Sequence, residues 1–254
     1  MHGPNADPQT LLARLEAARG LARSDSGPLL GQLRSPLLID WQAGTRVVSI
    51  WQPAQPLRAD GARQVPWAQL GAVLAGVHRI LPPRDLPPHG GRARLVRAAR
   101  GLVDVGAPAW LVELAHDLHA IRPPVADPAC LVHGDLHLGQ FAQVDGRWRL
   151  LDLDDLGVGD PAVDLGRIAG SWAAGLLEDE AWEGFLSGYR EADGPAVPAS
   201  GDPWLRLDLP ARISLVIAVY GMLRDRAAGV QVDADLVDAL MTTCLRMTTH
   251  PVPS

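Results

Sequence analysis

Asp135, Gln140 and Asp152 lie within one short stretch, His133 to Leu165, at the spacing that phosphoryl transfer to a hydroxyl requires. Moving the terminal phosphoryl group of a nucleotide onto an alcohol needs a carboxylate that orients the hydroxyl and accepts its proton. It also needs oxygen ligands that hold Mg2+ against the phosphates. Asp135 suits the first role, and Gln140 with Asp152 the second. His137, Asp154 and Asp155 flank this set and are expected in the vicinity of the acceptor.

The elements that must position these residues are legible around them. Asp145-Gly146 is a two-residue hairpin signal, because both turn positions need φ > 0, and β-compatible runs flank it at Phe141 to Val144 and Arg147 to Leu151. Folding there pairs Val144 with Arg147, Gln143 with Trp148 and, at the open end, Gln140 with Leu151, so Asp152 emerges beside Gln140. Directly opposed residues sit roughly 5 Å apart, which puts both side chains within reach of one cation, with Asp135 on the loop leading in. Asp160-Pro161 then reads as a helix start, with an apolar-rich helix from about Ala162 to Leu177. Asp164 in its first turn is either an acid favoured by the helix dipole or a buried acceptor for backbone amides of the 133 to 140 loop.

Protein kinases place a catalytic Asp and a metal-binding amide five residues apart in H-x-D-x-x-x-x-N, and His133, Asp135 and Gln140 occupy those offsets with Gln in place of Asn. His133 to Gln140, Leu151 to Asp155 and Gly159 to Leu165 together resemble the signature of the aminoglycoside phosphotransferase and choline kinase superfamily, and the HGDLHLGQ form is similar to that of maltokinase-like sugar kinases. The resemblance implies an α+β, protein-kinase-like two-lobe fold with a small, reduced β-containing N-lobe at 1–57 and a mainly helical C-lobe at 58–254. It implies Asp135 as base, Gln140 and Asp152 as Mg2+ ligands, ATP or GTP as donor, and His133 and Asp164 as structural supports of the catalytic loop.

The N-terminal part departs from that pattern. The chain contains no lysine, all 23 basic residues being Arg, and no G-x-G-x-x-G precedes the motif, so the usual strand Lys and phosphate loop have no recognisable counterpart. A helix is expected from Pro8 to Leu21, then strands at Leu29 to Leu33, Leu37 to Trp41 and Arg46 to Trp51, and a Pro-rich hinge at Gln52 to Leu57. Arg46, at the start of the last strand, is either the candidate phosphate contact, with Glu16 on the helix as its partner, or a solvated strand-edge residue with Glu16 a surface acid. Helices are expected at Pro66 to Leu81, Arg92 to Val103, Ala109 to Ile121, Glu180 to Glu191, Leu209 to Ala227 and Asp233 to Thr249, with a loop at Gly194 to Pro203. Trp172, Trp182 and Trp204 either pack in the core or line an acceptor pocket.

Composition narrows the class. The 254 residues are 47% hydrophobic, enough for a core, and carry a net charge of -6, which argues against a nucleic-acid binder. Residues 1–150 hold 16 Arg against 12 acids, while residues 151–254 hold 7 Arg against 17 acids. The acidic second half is either a solvated surface or a preference for a cationic acceptor such as an amino sugar. Two cysteines do not make a disulfide framework, and the longest apolar run, Ile213 to Leu223, falls short of the roughly 20 residues that span a bilayer. A cytoplasmic protein without membrane partners is expected.

The resulting reading is a kinase transferring a γ-phosphoryl group to a hydroxyl of a small molecule: an amino sugar, a sugar or a natural-product-like acceptor. Three alternatives stay open. One is a kinase-like binding module that lacks its own nucleotide site or borrows one from a partner protein, motivated by the missing Lys. Another is a kinase acting on peptide Ser or Thr in a biosynthetic pathway. The third is a metal-dependent hydrolase that uses His133, Asp135, His137, Asp152 and Asp154 as a ligand cluster.

Overall fold

The computed structural model describes residues 7–22, 27–41, 44–57, 65–121 and 129–248. The first helix, α1 (Pro8–Leu21), begins where Asp7 accepts a hydrogen bond from the Thr10 amide at 2.8 Å and Pro8 supplies a preset φ. It is followed by an antiparallel pair, β1 (Leu37–Trp41) and β2 (Gly44–Val48). The expected strand over Leu29 to Leu33 is not a ladder of its own. Leu29 bridges Leu150 in parallel and Gln32 bridges Trp51, so this segment ties the N-terminal part to the C-terminal hairpin. The expected strand from Arg46 to Trp51 starts two residues earlier and stops at Val48, beyond which only the Trp51 bridge remains.

The Pro-rich segment expected as a hinge holds a short strand, β3 (Gln55–Pro56), which pairs with the first strand of the motif hairpin. The expected lobe boundary after residue 57 falls at the edge of a stretch outside the described residues. Helices α2 (Trp67–His78), α3 (Gly91–Asp104) and α4 (Ala109–Ala120) follow. Next comes β4 (Cys130–Val132), buried throughout, and then the hairpin of β5 (Phe141–Val144) and β6 (Arg147–Leu150). A short β7 (Gly157–Gly159) returns antiparallel to β4. Helices α5 (Ala162–Ala173), α6 (Asp179–Glu191), α7 (Trp204–Ala227) and α8 (Ala234–Thr248) complete the chain, and Thr249, the expected end of α8, lies outside the described residues.

α2 ends at His78, three residues short of the expected Leu81, and two further helices differ from expectation for local reasons. α5 stops at Ala173 rather than Leu177, because Gly175 takes φ 71° and its amide closes onto Trp172. α7 starts at Trp204 rather than Leu209, capped by Asp202 on the Trp204 amide, with Pro210 accommodated near its start.

Two large hydrophobic clusters form the interior, beside a small one of Leu11 and Leu15 of α1 with Val47 of β2. One gathers α2, α5, α6 and the hairpin around Phe141, Phe185 and Tyr189, and the other gathers α3, α4, α7 and α8 around Leu102, Leu111 and Val219. Bare helix faces let the layers approach. A Cβ on Gly188 of α6 would overlap the Ala68 carbonyl of α2, and one on Gly166 of α5 would overlap Pro210 of α7. Among the described residues no helix is long and apolar enough to cross a membrane.

Candidate active site

The buried strand β4 delivers the loop that begins at His133, and the loop is fixed by one carboxylate. Asp164, in the first turn of α5 and 1% exposed, accepts the His133 amide at 2.7 Å, the Gly134 amide at 2.9 Å and His78 Nε2 at 3.0 Å. Burial opposes its charge, but His78, His133 and the backbone amide together hold its pKa below the ordinary value. Of the two readings open for Asp164, the structure realises the buried acceptor.

The support extends across three helices. The Ala196 amide donates to the Tyr189 hydroxyl at 3.0 Å, that hydroxyl lies 2.7 Å from His78 Nδ1, and His78 Nε2 faces Asp164. A single proton pattern satisfies the chain: Tyr189 donates to Nδ1, and the Nε2 hydrogen points at the carboxylate. Burial pushes the Tyr189 hydroxyl far above its usual range, so it stays protonated. His133 is likewise fixed, with Nδ1 accepting the Asp135 amide at 3.3 Å and Nε2 donating to the Leu151 carbonyl at 2.8 Å.

The hairpin forms in the expected register, with Val144 opposite Arg147, Gln143 opposite Trp148, and the Leu151 amide on the Gln140 carbonyl at 2.9 Å. Asp145 and Gly146 take φ 49° and 73°. At the open end the Gln140 amide meets Asp152 Oδ2 at 3.0 Å and His137 Nε2 at 3.0 Å. Asp152 itself is left-handed, φ 59° and ψ 64°, which turns the chain out of β6.

Gln140 and Asp152 suit Mg2+ chemically. Both carry hard oxygens, a half-turn of the Gln140 amide exchanges its nitrogen for oxygen at the same place, and Mg2+ completes its shell with waters and substrate phosphates. Among the described residues no three His, Cys, Asp or Glu side chains converge as a metal cluster. The five-residue ligand set of the hydrolase reading therefore does not assemble, because His133 is turned to the Leu151 carbonyl and His137 to Gln140.

Asp135 stands apart from these constraints. Its side chain is 40% exposed, with Arg94 of α3 at 3.6 Å and Arg167 of α5 at 3.9 Å. It opens onto a pocket of about 480 Å3 bounded by α5, α7 and α8. His137 shares the pocket wall, and burial, with Arg167 second, lowers its pKa and keeps the imidazole neutral. Asp155, expected near the acceptor, is held by arginines instead: Arg94 contacts both Asp155 and the Gly134 carbonyl, and Arg14 of α1 reaches Asp155 at 3.3 Å and the Asp154 carbonyl at 3.1 Å.

Arg46 lies on β2 opposite Ile39, and no ion pair joins it to Glu16 among the described residues. Trp172, Trp182 and Trp204 stack on one another with centroids 5.7 to 6.5 Å apart and do not line the pocket. The residues not anticipated are Arg14, His78, Arg94, Arg167 and Tyr189. For Arg167 a signal exists, since it follows Asp164 by three positions and so shares its side of the helix. The other four approach from distant segments, with no local pattern to mark them.

The chain matches the family described as phosphotransferase enzyme family over residues 12–204. No curated protein matches it in sequence. Among solved structures, a choline/ethanolamine kinase family protein from Mesorhizobium loti superposes with a TM-score of 0.61 at 19% identity, covering 98% of this chain and 81% of that one. An amicoumacin kinase in complex with AMP-PNP, Ca2+ and Ami gives 0.65 at 16% identity, covering 96% and 79%. A thermostable aminoglycoside phosphotransferase mutant in ternary complex with ADP and hygromycin B gives 0.60 at 15% identity, covering 96% and 84%. The fold is therefore α+β and kinase-like, with a reduced sheet in its N-terminal part and a helical C-terminal part.

Proposed function

The chain belongs to the phosphotransferase enzyme family and is a phosphotransferase with an alcohol group as acceptor, and we propose that it moves the γ-phosphoryl group of ATP or GTP to a hydroxyl of a small molecule. The observation that carries this reading is the placement of Asp135. It is the exposed carboxylate of a loop otherwise pinned by Asp164, and it faces a pocket of about 480 Å3 whose wall includes His137, the side chain that meets Gln140. Two neighbours of the same fold were solved with a nucleotide and a small molecule, which supports a pocket of this kind as the acceptor site.

In this mechanism Asp135 orients the acceptor hydroxyl and takes its proton as the oxygen attacks. Gln140 and Asp152 would hold Mg2+, which would supply charge neutralisation at the phosphates. Asp164, His78 and Tyr189 hold the loop so that Asp135 does not drift from the attack geometry. Arg94 fastens the Gly134 carbonyl to Asp155 and so joins the loop to the turn that follows Asp152.

Steady-state turnover and Mg2+-dependent nucleotide titration of three proteins test the reading. Asp135→Asn should keep nucleotide affinity and lose about 10²- to 10⁴-fold in turnover, whereas Asp152→Asn should weaken Mg2+-nucleotide binding and turnover together. Near wild-type turnover by Asp135→Asn would remove Asp135 as the base. A second reading, a kinase-like module without its own nucleotide site, is favoured by the lack of an Arg46–Glu16 ion pair among the described residues in a chain devoid of lysine. It takes over if the wild type binds neither ATP nor GTP with Mg2+ present.

A further inference from the structure

The pocket wall has a charge pattern opposite to that of the half-chain that builds most of it. Arg94, Arg167 and Arg224 line it against Asp135 and Asp225. Most of these polar groups are already engaged. Arg94 is held by Asp155 and the Gly134 carbonyl, and Arg224 pairs with Asp225 at 2.7 Å. Ser171 donates to the Arg167 carbonyl at 3.0 Å, and Ser214 donates to the Gly166 carbonyl at 3.0 Å.

Arg167 differs from the rest. Its guanidinium faces the pocket, makes no hydrogen bond among the described residues, and stands 3.9 Å from Asp135, too far for a hydrogen bond. A guanidinium offers a planar fork of donors that matches a carboxylate or phosphate. A cationic acceptor would find two acids there, Asp135, which is occupied with the hydroxyl, and Asp225, which is paired with Arg224. Beyond Arg167 the wall turns apolar, through Leu176, Met222, Leu236 and Leu240.

Resting on the acceptor-pocket reading above, we propose that the acceptor is an anionic amphiphile: a hydroxy acid whose carboxylate, within a few bonds of the reacting hydroxyl, is gripped by Arg167, and whose apolar body lies on α7 and α8. The spacing sets the connectivity. A hydroxyl donating to Asp135 and an anion accepting from Arg167 are neighbours, as in a 2- or 3-hydroxy acid, because the two side chains are 3.9 Å apart.

Calorimetric titration of the full chain without nucleotide tests this, using 3-hydroxydecanoate, its methyl ester and 2-aminodecan-1-ol. The acid should bind at least tenfold more tightly than either comparison ligand. Arg167→Gln should abolish that preference, and Arg167→Lys should keep part of it through charge alone. Equal binding of the ester or the amine to wild type overturns the proposal, as does an Arg167→Gln protein with its preference intact. Should Arg167→Gln not fold, the ligand comparison on wild type and the Lys variant decide. The same titration separates an acceptor anion from the transferred phosphoryl group as the partner of Arg167, because no nucleotide is present. Failure of the metal assignment would leave this result standing, failure of Asp135 as base would remove the hydroxyl–carboxylate connectivity and leave the anion preference, and failure here would leave both assignments untouched.

Discussion

Asp164 shows how one buried carboxylate sets the position of another that must react. It makes three charge-assisted contacts that no neutral side chain of its size can reproduce, two to backbone amides and one to His78. Asp164→Asn should cost about 1.5 to 3 kcal/mol, the scale of a hydrogen bond to a charged group, and should lower turnover by misplacing Asp135. The pH dependence has a definite sign. The folded pKa lies below the ordinary 3.8, so the stabilisation is complete above that value and is lost as pH falls through the folded pKa. In urea midpoints, the gap between wild type and Asp164→Asn should therefore narrow once pH drops below about 4. A gap that stays constant down to acid unfolding would contradict an ionised Asp164.

At the scale of elements, two glycines have testable and different reasons to be there. Gly146 sits at φ 73° in the hairpin turn with open space around it, so Gly146→Ala carries only the conformational penalty of a left-handed residue, about 1 to 2 kcal/mol. Gly188 is a packing glycine, since its missing Cβ is what allows α6 to rest on the backbone of α2. Gly188→Ala should push the helices apart and cost about 1 to 3 kcal/mol, the scale of overpacking. α2 carries His78 and α6 carries Tyr189, so that displacement should also reach the catalytic loop. Thermal unfolding together with turnover separates the two variants: Gly146→Ala lowers stability with the smaller effect on rate, and Gly188→Ala lowers both. If Gly188→Ala left turnover and stability unchanged, the α2–α6 contact would not support the site.

For the whole molecule, the two large hydrophobic clusters meet where Gly166 and Gly170 of α5 rest on α7, and the candidate site straddles that junction. A ligand that binds only the folded protein stabilises it by RT ln(1 + [L]/Kd), which is about 2.7 kcal/mol at a hundred times Kd. Nucleotide with Mg2+ should therefore raise the unfolding temperature, and nucleotide with a chelator should raise it less. The same shift in Asp152→Asn as in wild type would place the metal elsewhere.

The sequence by itself determined what short-range geometry determines. The offsets of Asp135, Gln140 and Asp152, the Asp145-Gly146 turn with its register, and the limits of α1 follow from backbone preferences acting over a few residues, which is why Gln140 meets Asp152 as the turn requires. Only the tertiary structure decided what lies around that core. Arg94 reaches the loop from α3, Arg14 reaches the turn at Asp154 and Asp155 from α1, and Tyr189 supports the loop through His78 across α6, α2 and α5. The segment at Leu29 joined the hairpin instead of forming its own strand, and Arg46 ended opposite Ile39 with no ion pair to Glu16 among the described residues. The charge of the acidic half likewise gave no account of the pocket wall, where arginines face inward. Long-range partners are selected by which faces must be buried together and by which buried charges need compensation, and both are properties of the packed chain that no local pattern encodes.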